Sequence, residues 1–204
     1  MNALAKFLFE MGHLKRVPRS GWSLVGIDRP ESVAEHSFRT AVVGYILAHI
    51  EGADVLKTTL MCLFHDAHEG RIGDLHHLGQ VYAEWPAAQE RAQAGLLDRL
   101  PPPLAEQLGA ALGDREAADS REGRVARDAD RLELMLQAIE YRSLGCVALE
   151  DWISQVRSKL ETEAARQLAD ACLNDAARVW WSDLMPRDEA PQAPRSGAAT
   201  ERIS

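Results

Sequence analysis

The chain has 204 residues, and 46% of them are hydrophobic, which is enough for one domain with a buried core. Its formal net charge is −8 and its pI is about 5.4, which argues against binding to nucleic acid, because phosphate backbones are bound by clustered Lys and Arg. We expect no membrane association either, since no segment approaches the roughly 20 apolar residues of a transmembrane helix.

The three cysteines, Cys62, Cys146 and Cys172, are widely spaced and lie in apolar stretches with helical periodicity. An odd number of dispersed cysteines favours buried free thiols over a disulfide framework, and free thiols persist in a reducing compartment. We therefore expect a cytoplasmic protein.

The first 30 residues divide into a helix and a loop. Apolar residues recur at helical spacing over residues 2–15 and predict the first helix, whereas residues 15–30 are rich in Pro, Gly and Arg, which is typical of a loop. Arg16, Arg19 and Arg29 stand out in this acidic chain, because a guanidinium group matches phosphate oxygens bidentately. Solvated surface arginines are the alternative interpretation.

The second predicted helix begins at about Ser32. The sequence Ser-Val-Ala-Glu at 32–35 is a capping box, in which the first and last side chains satisfy each other's free backbone N–H groups. His36 then lies just after the first turn, beside apolar residues that include Phe38, Val42 and Tyr45 and that we expect in the core. His36 is either a metal ligand at a helix end or a hydrogen-bonded, semi-buried histidine.

The third predicted helix runs from about residue 54, with Asp54 as its N-cap, to about residue 66, and it ends in ionisable side chains. Apolar residues at 56, 60, 63 and 64 predict one buried face, with His65 and Asp66 pointing inward at its end. Glu69 follows one helical turn later, and Asp74 lies far enough beyond it for a loop to fold back over the same pocket. We interpret this stretch as half of a metal site.

Residues 87–100 and 104–112 predict a polar, Ala-rich helical hairpin that the run Pro101-Pro102-Pro103 interrupts. We find no chemical motif in this hairpin, although such a unit can cover a pocket or form a dimer surface.

A longer helix is predicted from about residue 120 to residue 144, with Gly145 at its end. Asp130 lies beside its apolar stripe, and we expect Asp128 to point nearer to solvent. A carboxylate that borders a core needs a partner, so Asp130 is either a ligand or paired with Arg127 or Arg131. No segment shows strand alternation, and we predict an all-α fold in a single domain.

Together, His36, the His65-Asp66 pair and Asp130 give the order His, His-Asp, Asp on different helices. This order resembles the HD-domain metal phosphohydrolases. The likeness extends to Arg-Pro-Glu-Ser-Val-Ala-Glu-His at 29–36, His-Asp-x-x-Glu with Gly-Asp downstream at 65–74, and Asp-x-x-Glu at 130–133. It is greatest for the HD-domain 5′-nucleotidases that act on deoxyribonucleoside monophosphates, and it covers about residues 3–182.

The resemblance implies an HD-domain helical bundle over residues 1–184, with a disordered tail over residues 185–204. It also implies a homodimer and one divalent metal ion per chain. The implied metal ligands are His36, His65, Asp66 and Asp130. Two imidazoles and two carboxylates suit Mn²⁺, Co²⁺, Fe²⁺ or Zn²⁺, and a bound ion of this kind makes hydroxide available near neutral pH.

The resemblance further assigns catalytic roles to Glu69 and Asp74 and substrate-binding roles to Arg19 and Trp22. Glu69 matches the carboxylate of His-Asp-x-x-Glu and would orient a water molecule or carry its proton, while Asp74 would assist it or contact the sugar. Arg19 is similar to the arginine of the family that binds phosphate. Trp22 would lie near the sugar, where it favours deoxyribose.

Three alternatives remain. The first is a two-iron HD oxygenase, but that class adds histidines after the His-Asp pair, and this chain offers only His68, His76 and His77. The second is a hydrolase of nucleoside triphosphates, cyclic nucleotides or alarmone-type nucleotides. The third is a non-catalytic nucleotide sensor, which we expect to lack a ligand or Glu69.

Overall fold

The computed structural model of the protein describes residues 1–117, 120–174 and 179–184, and the predicted tail lies outside these residues. Within them the chain is helical, and the only extended pairing is an isolated antiparallel bridge between Pro18 and Ser32. The all-α prediction is confirmed. The α-helices are α1 (Asn2–His13), α2 (Val33–Glu51), α3 (Val55–Phe64), α4 (Glu69–Ile72), α5 (His77–Gln80), α6 (Trp85–Leu97), α7 (Pro102–Ala117), α8 (Arg121–Ser143), α9 (Glu150–Ser158) and α10 (Glu163–Cys172).

Short 3-10 helices occupy Leu14–Arg16, Ser20–Val25, Val147–Leu149 and Trp180–Leu184. No helix in the described ranges combines the length and apolar character that crossing a membrane requires.

Helices α2, α3 and α8 form the centre of the fold and bury Leu47, Met61 and Leu132 between them. Gly44 allows α2 to approach α3 closely, because a Cβ atom at this position would clash with the buried Cys62 thiol. Helices α9 and α10 close the core from the side of α8.

The helix caps agree with the sequence. Ser32 and Glu35 form both halves of the predicted capping box at the start of α2. Asp54 accepts a hydrogen bond from the Lys57 backbone N–H at the start of α3, and Ser120 caps α8 in the same way through Gly123. These caps fix where the helices that carry the site begin.

The inward faces of α2 and α3 differ from the prediction. Phe38 and Tyr45, expected in the core, are 67% and 58% exposed, and the inner face of α2 carries smaller residues such as Ser37 and Thr40. On α3, Leu56 is exposed. Almost every face of α2 carries apolar side chains, so periodicity did not identify the face that packs.

The prediction that Asp128 points to solvent is wrong. Its carboxylate is fully buried and accepts hydrogen bonds from the backbone N–H groups of Glu161 and Thr162 and from the Thr162 hydroxyl. Asp128 therefore ties α8 to the start of α10. Asp130 is the more accessible of the two, and its partner is Arg115 on α7 instead of Arg127 or Arg131.

Candidate active site

Four of the predicted site residues converge from two helices and from the turn that follows a third. His36 comes from the first turns of α2, His65 and Asp66 from the turn that follows α3, and Asp130 from the middle of α8. The Nε2 atoms of His36 and His65 lie 3.3 Å apart. Asp66 Oδ2 lies 3.1 Å from His65 Nε2, and Asp130 Oδ1 lies 3.2 Å from His36 Nε2.

The hydrogen bonds of the two imidazoles fix which nitrogen faces this point. His65 Nδ1 lies 2.8 Å from the Cys62 carbonyl oxygen, which only accepts, so Nδ1 carries the proton. His36 Nδ1 is hydrogen-bonded to the buried Glu133 carboxylate in the same sense. The two Nε2 lone pairs and the carboxylate oxygens thus face one another. These electron-rich atoms repel one another unless a cation lies among them. The arrangement fits a divalent metal ion that they would coordinate.

The pKa values of these groups also indicate a site for positive charge. Burial alone would raise the pKa of the Asp66 and Asp130 carboxyls, but the two histidines and nearby arginines hold both pKa values well below the usual range. Burial and Arg19 lower the pKa of His36, yet hydrogen bonds with Asp130 and Glu133 outweigh them and raise it to about 9.

Glu69 begins α4, one turn beyond Asp66, and its backbone N–H donates to the Asp66 carbonyl. Its side chain is buried, and its Oε2 atom has no hydrogen-bond partner among the described residues. Burial, Asp66 and Asp74 raise the pKa of the Glu69 carboxyl to about 10. A buried carboxyl with a free oxygen beside a metal site is suited to proton transfer.

The loop before α2 brings Arg19 and Trp22 to the same region. Arg19 Nη1 donates to Asp66 Oδ2 at 2.9 Å, and the Ser20 backbone N–H donates to Asp74 Oδ2 at 2.6 Å. Asp74 therefore lies on the wall of the same cavity as Asp66 and Asp130.

Trp22 is only 1% exposed. Its indole N–H donates to Glu31, and its ring packs edge-on against Tyr141 and obliquely against Trp152. The ring thus belongs to the core and also forms part of a cavity wall. Contact between Trp22 and a substrate stays a prediction.

A cavity of about 400 Å³ opens beside these groups. Arg19, Trp22, Asp66, Glu69, Asp74 and Asp130 line it, together with aromatic and polar side chains that include Trp85, Trp152, His76, His77, Gln80 and Gln89. Its volume lies within the range of about 300–1,000 Å³ that is usual for small-molecule sites.

Two residues of the site were not assigned from the sequence. Glu133 lies in the Asp-x-x-Glu motif but received no role, and it bonds to His36 and, at 3.0 Å, to Arg39 Nε. Arg115 lies on α7, three residues beyond the predicted hairpin, and its Nη2 atom donates to Asp130 Oδ2 at 2.8 Å. The i+3 spacing from Asp130 was a usable signal for Glu133, whereas nothing local marks Arg115.

Two of the three histidines considered for a second metal ion have other hydrogen-bond partners. His68 lies 3.1 Å from the Gln89 side chain, and His76 accepts from the Gly79 backbone N–H as the N-cap of α5.

The comparisons with known proteins agree with this geometry. The HD domain family model matches residues 11–171. The chain belongs to the HD-domain family. It is 30% identical over 183 residues to the 5′-deoxynucleotidase HDDC2 of Mus musculus, covering 82% of this chain and 92% of that protein. It is therefore an HD-domain phosphohydrolase close to the 5′-deoxynucleotidase subgroup.

Solved structures show the same fold. A conserved hypothetical protein from Pyrococcus furiosus is 30% identical, covers 83% of this HD-domain protein and 98% of its own chain, and superposes with a TM-score of 0.69. A predicted metal-dependent phosphohydrolase from Magnetospirillum magnetotacticum is 25% identical, with a TM-score of 0.68 and coverage of 88% and 94%.

Proposed function

We propose that this protein hydrolyses the 5′-phosphate of deoxyribonucleoside monophosphates and releases a nucleoside and phosphate. The observation that carries the proposal is the convergence of two imidazoles and two carboxylates beside a cavity that also holds Arg19 and the unpartnered carboxyl of Glu69. The similarity to proteins named 5′-deoxynucleotidases supports the substrate class.

His36, His65, Asp66 and Asp130 would hold one divalent ion, and their mixture of nitrogen and oxygen donors suits Mn²⁺, Co²⁺, Fe²⁺ or Zn²⁺. When bound, such an ion supplies hydroxide near neutral pH and offsets negative charge on the phosphoryl oxygens. The Nδ1 hydrogen bonds to Glu133 and to the Cys62 carbonyl keep both Nε2 atoms free for this role.

Glu69 would receive a proton from the attacking water. The water oxygen bonds to phosphorus, the bond from phosphorus to O5′ breaks, and the leaving 5′-oxygen gains a proton. The raised pKa of the Glu69 carboxyl describes the protein without a cation, and positive charge beside Asp66 opposes that shift. Asp74, held by the Ser20 N–H, would assist Glu69 or bind the sugar.

Arg19 would bind the phosphate group, because its guanidinium lies on the cavity wall and its hydrogen bond to Asp66 holds it beside the proposed metal position. Trp22 would lie near the sugar, and its indole, fixed by Glu31, Tyr141 and Trp152, would be a rigid surface against C2′.

A substrate screen tests the proposal. Protein loaded separately with Mn²⁺ and Co²⁺ is incubated with deoxyribonucleoside and ribonucleoside 5′-monophosphates, triphosphates and cyclic nucleotides, and phosphate release is measured. We expect the highest kcat/KM for 5′-deoxyribonucleoside monophosphates. Preference for a triphosphate or a cyclic phosphodiester would reject this substrate class in favour of another nucleotide, and no turnover of any nucleotide would favour a sensor.

We also propose that the protein is a cytoplasmic homodimer. The free thiols of Cys62, Cys146 and Cys172 support a reducing compartment. The outer face of α2 supports self-association, because Phe38 and Tyr45 are exposed there and Phe38 lines a surface depression of about 440 Å³. A two-fold axis would place this apolar face against the same face of a second copy.

Sedimentation of wild-type protein and of Phe38→Glu and Tyr45→Glu variants at micromolar concentration tests the dimer. Leu104→Glu, at a half-exposed leucine on α7, is the matched control. We expect a dimer that both α2 variants dissociate and the control preserves. A monomeric wild-type protein, or dimers in all variants, would reject this interface.

A further inference from the structure

Arg115 is a second cationic group at the site, and it comes from an element separate from the loop of Arg19. It lies near the end of α7, which packs against α3 and α8. Its backbone carbonyl accepts a hydrogen bond from Arg127 of α8 at 3.1 Å. The position of Arg115 is therefore set by helix packing.

The Arg115 side chain is 14% exposed and incompletely bonded. Nη2 donates to Asp130 at 2.8 Å, and Nη1 donates to Glu116 at 3.0 Å. Nε is buried without a hydrogen-bond partner in the described part of the chain. A guanidinium group has five N–H donors, so this side chain keeps unused donors, and Arg115 lines the cavity.

The hydrogen-bond partners of Arg115 leave its guanidinium group available for a further ligand. The Glu116 carboxylate is 74% exposed, and a pair of that kind contributes little. Asp130 faces His36 at 3.2 Å through Oδ1 and bonds Arg115 through Oδ2, whereas Asp66 meets both His65 and Arg19 through Oδ2. Each of the two arginines thus bonds one of the two ligand carboxylates, Arg19 at Asp66 and Arg115 at Asp130.

We infer that Arg115 is a second phosphate-binding residue and that, together with Arg19, it holds the phosphate group of the substrate from two sides of the metal ligands. The inference rests on the proposed function and specifies that the site recognises the phosphate dianion through two guanidinium groups. The same pair would bind inorganic phosphate, the product. Arg115 also lines the neighbouring cavity of about 370 Å³, which shares Asp66 with the first cavity.

The alternative is that Arg115 only balances the charge of Asp130. The two roles predict different measurements. A charge-balancing residue would affect metal binding, and phosphate affinity would fall only as bound metal is lost. A phosphate-binding residue would affect phosphate and leave the nucleoside unchanged.

Calorimetry on metal-loaded protein separates them without relying on turnover. Inorganic phosphate and a deoxyribonucleoside are titrated separately into wild-type, Arg115→Gln and Arg115→Lys proteins, and bound metal is quantified in each sample. Arg157→Gln, which removes a surface charge paired with Asp170, is the control for net charge.

We expect Arg115→Gln to weaken phosphate binding by about ten- to a hundredfold, the loss typical of one or two charge-assisted hydrogen bonds. Deoxyribonucleoside affinity and metal content should stay at wild-type values, and Arg115→Lys should fall between the two. Three outcomes would overturn the inference. Arg115→Gln could bind phosphate within about twofold of wild type, its affinities for phosphate and deoxyribonucleoside could fall by the same factor, or the wild-type protein could bind no phosphate.

Failure of the proposed function would look different. It would appear as absence of phosphate release from any 5′-monophosphate by wild-type protein, whatever the phosphate affinities of the variants.

Discussion

Glu133 provides a direct way to perturb the proposed metal site without changing a proposed ligand. Its side chain is fully buried, and its two carboxylate oxygens accept from two donors, His36 Nδ1 and Arg39 Nε. Burial would raise the pKa of the Glu133 carboxyl, but these bonds lower it, so the group is ionised at neutral pH. Replacement by Gln leaves one acceptor oxygen for two donors.

In Glu133→Gln either Arg39 or His36 loses its acceptor. If the amide NH₂ group faces His36, it favours the tautomer with the proton on Nε2, which is the nitrogen that faces the metal position. Loss of such a partner typically lowers metal affinity by about 10–100-fold. That range corresponds to about 1.4–2.7 kcal/mol of binding free energy.

The assay is a competition titration of Zn²⁺ or Mn²⁺ against a fluorescent chelator, well below the unfolding temperature. Glu140→Gln is the control, because Glu140 accepts from Arg39 at 2.7 Å but is 48% exposed. We expect only the Glu133 variant to lose affinity. Wild-type affinity in Glu133→Gln would refute the reasoning that this carboxylate orients His36.

Three further results are expected. Glu69→Gln should retain its metal and lose about 10²–10⁴-fold in kcat, as measured by metal analysis and phosphate release; a normal kcat would reject proton transfer by Glu69. Burial raises the pKa of the Glu31 carboxyl from 4.5 to about 7. The folded protein therefore binds this proton more tightly than the unfolded chain does, and Glu31 lowers the free energy of unfolding as the pH rises between these two values. Denaturation of metal-free protein should therefore show Glu31→Gln gaining stability relative to wild type between pH 5 and pH 8, and an equal difference at both pH values would contradict this. Gly44→Ala should destabilise the folded protein by about 1–3 kcal/mol, because the added Cβ clashes with Cys62. Gly113→Ala, in open space on α7, is the control and should not destabilise it. Equal effects of the two changes on thermal unfolding would contradict the close packing of α2 and α3.

Features that depend on neighbours along the chain were predictable. The caps at Ser32, Asp54 and Ser120 each need only the residue itself and the backbone three positions later. The end of α3 was placed about two residues too late, because the turn at 65–68 keeps helix-like hydrogen bonds from Ala67 and Glu69.

Features that depend on packing were not predictable. The buried face of α2 includes Ser37, Thr40 and Gly44, whose small volume lets neighbouring helices approach. An apolar pattern ranks such residues below Phe38 and Tyr45, which are exposed. Phe38 and Tyr45 are therefore exposed because of how the helices pack, and no local sequence pattern marks them as exposed.

The candidate site shows the same division. The His-Asp pair and its neighbours could be proposed from residue types and spacing. The roles of Arg115 and Glu133 can be seen only from tertiary contacts. Glu133 bonds to His36 across 97 residues, and Arg115 bonds to Asp130 on a different helix. Hydrogen-bond partners of this kind orient ligands and substrates but leave little pattern in one sequence.

The central claim is that one divalent ion, held by the converging histidines and aspartates, is required for hydrolysis. Metal content and phosphate release from a 5′-deoxyribonucleoside monophosphate should be measured together for wild-type protein, Asp66→Asn and the surface control Asp151→Asn. We expect one ion per chain and turnover in wild type and control, with both lost in Asp66→Asn. Full metal content and full turnover in Asp66→Asn would contradict it.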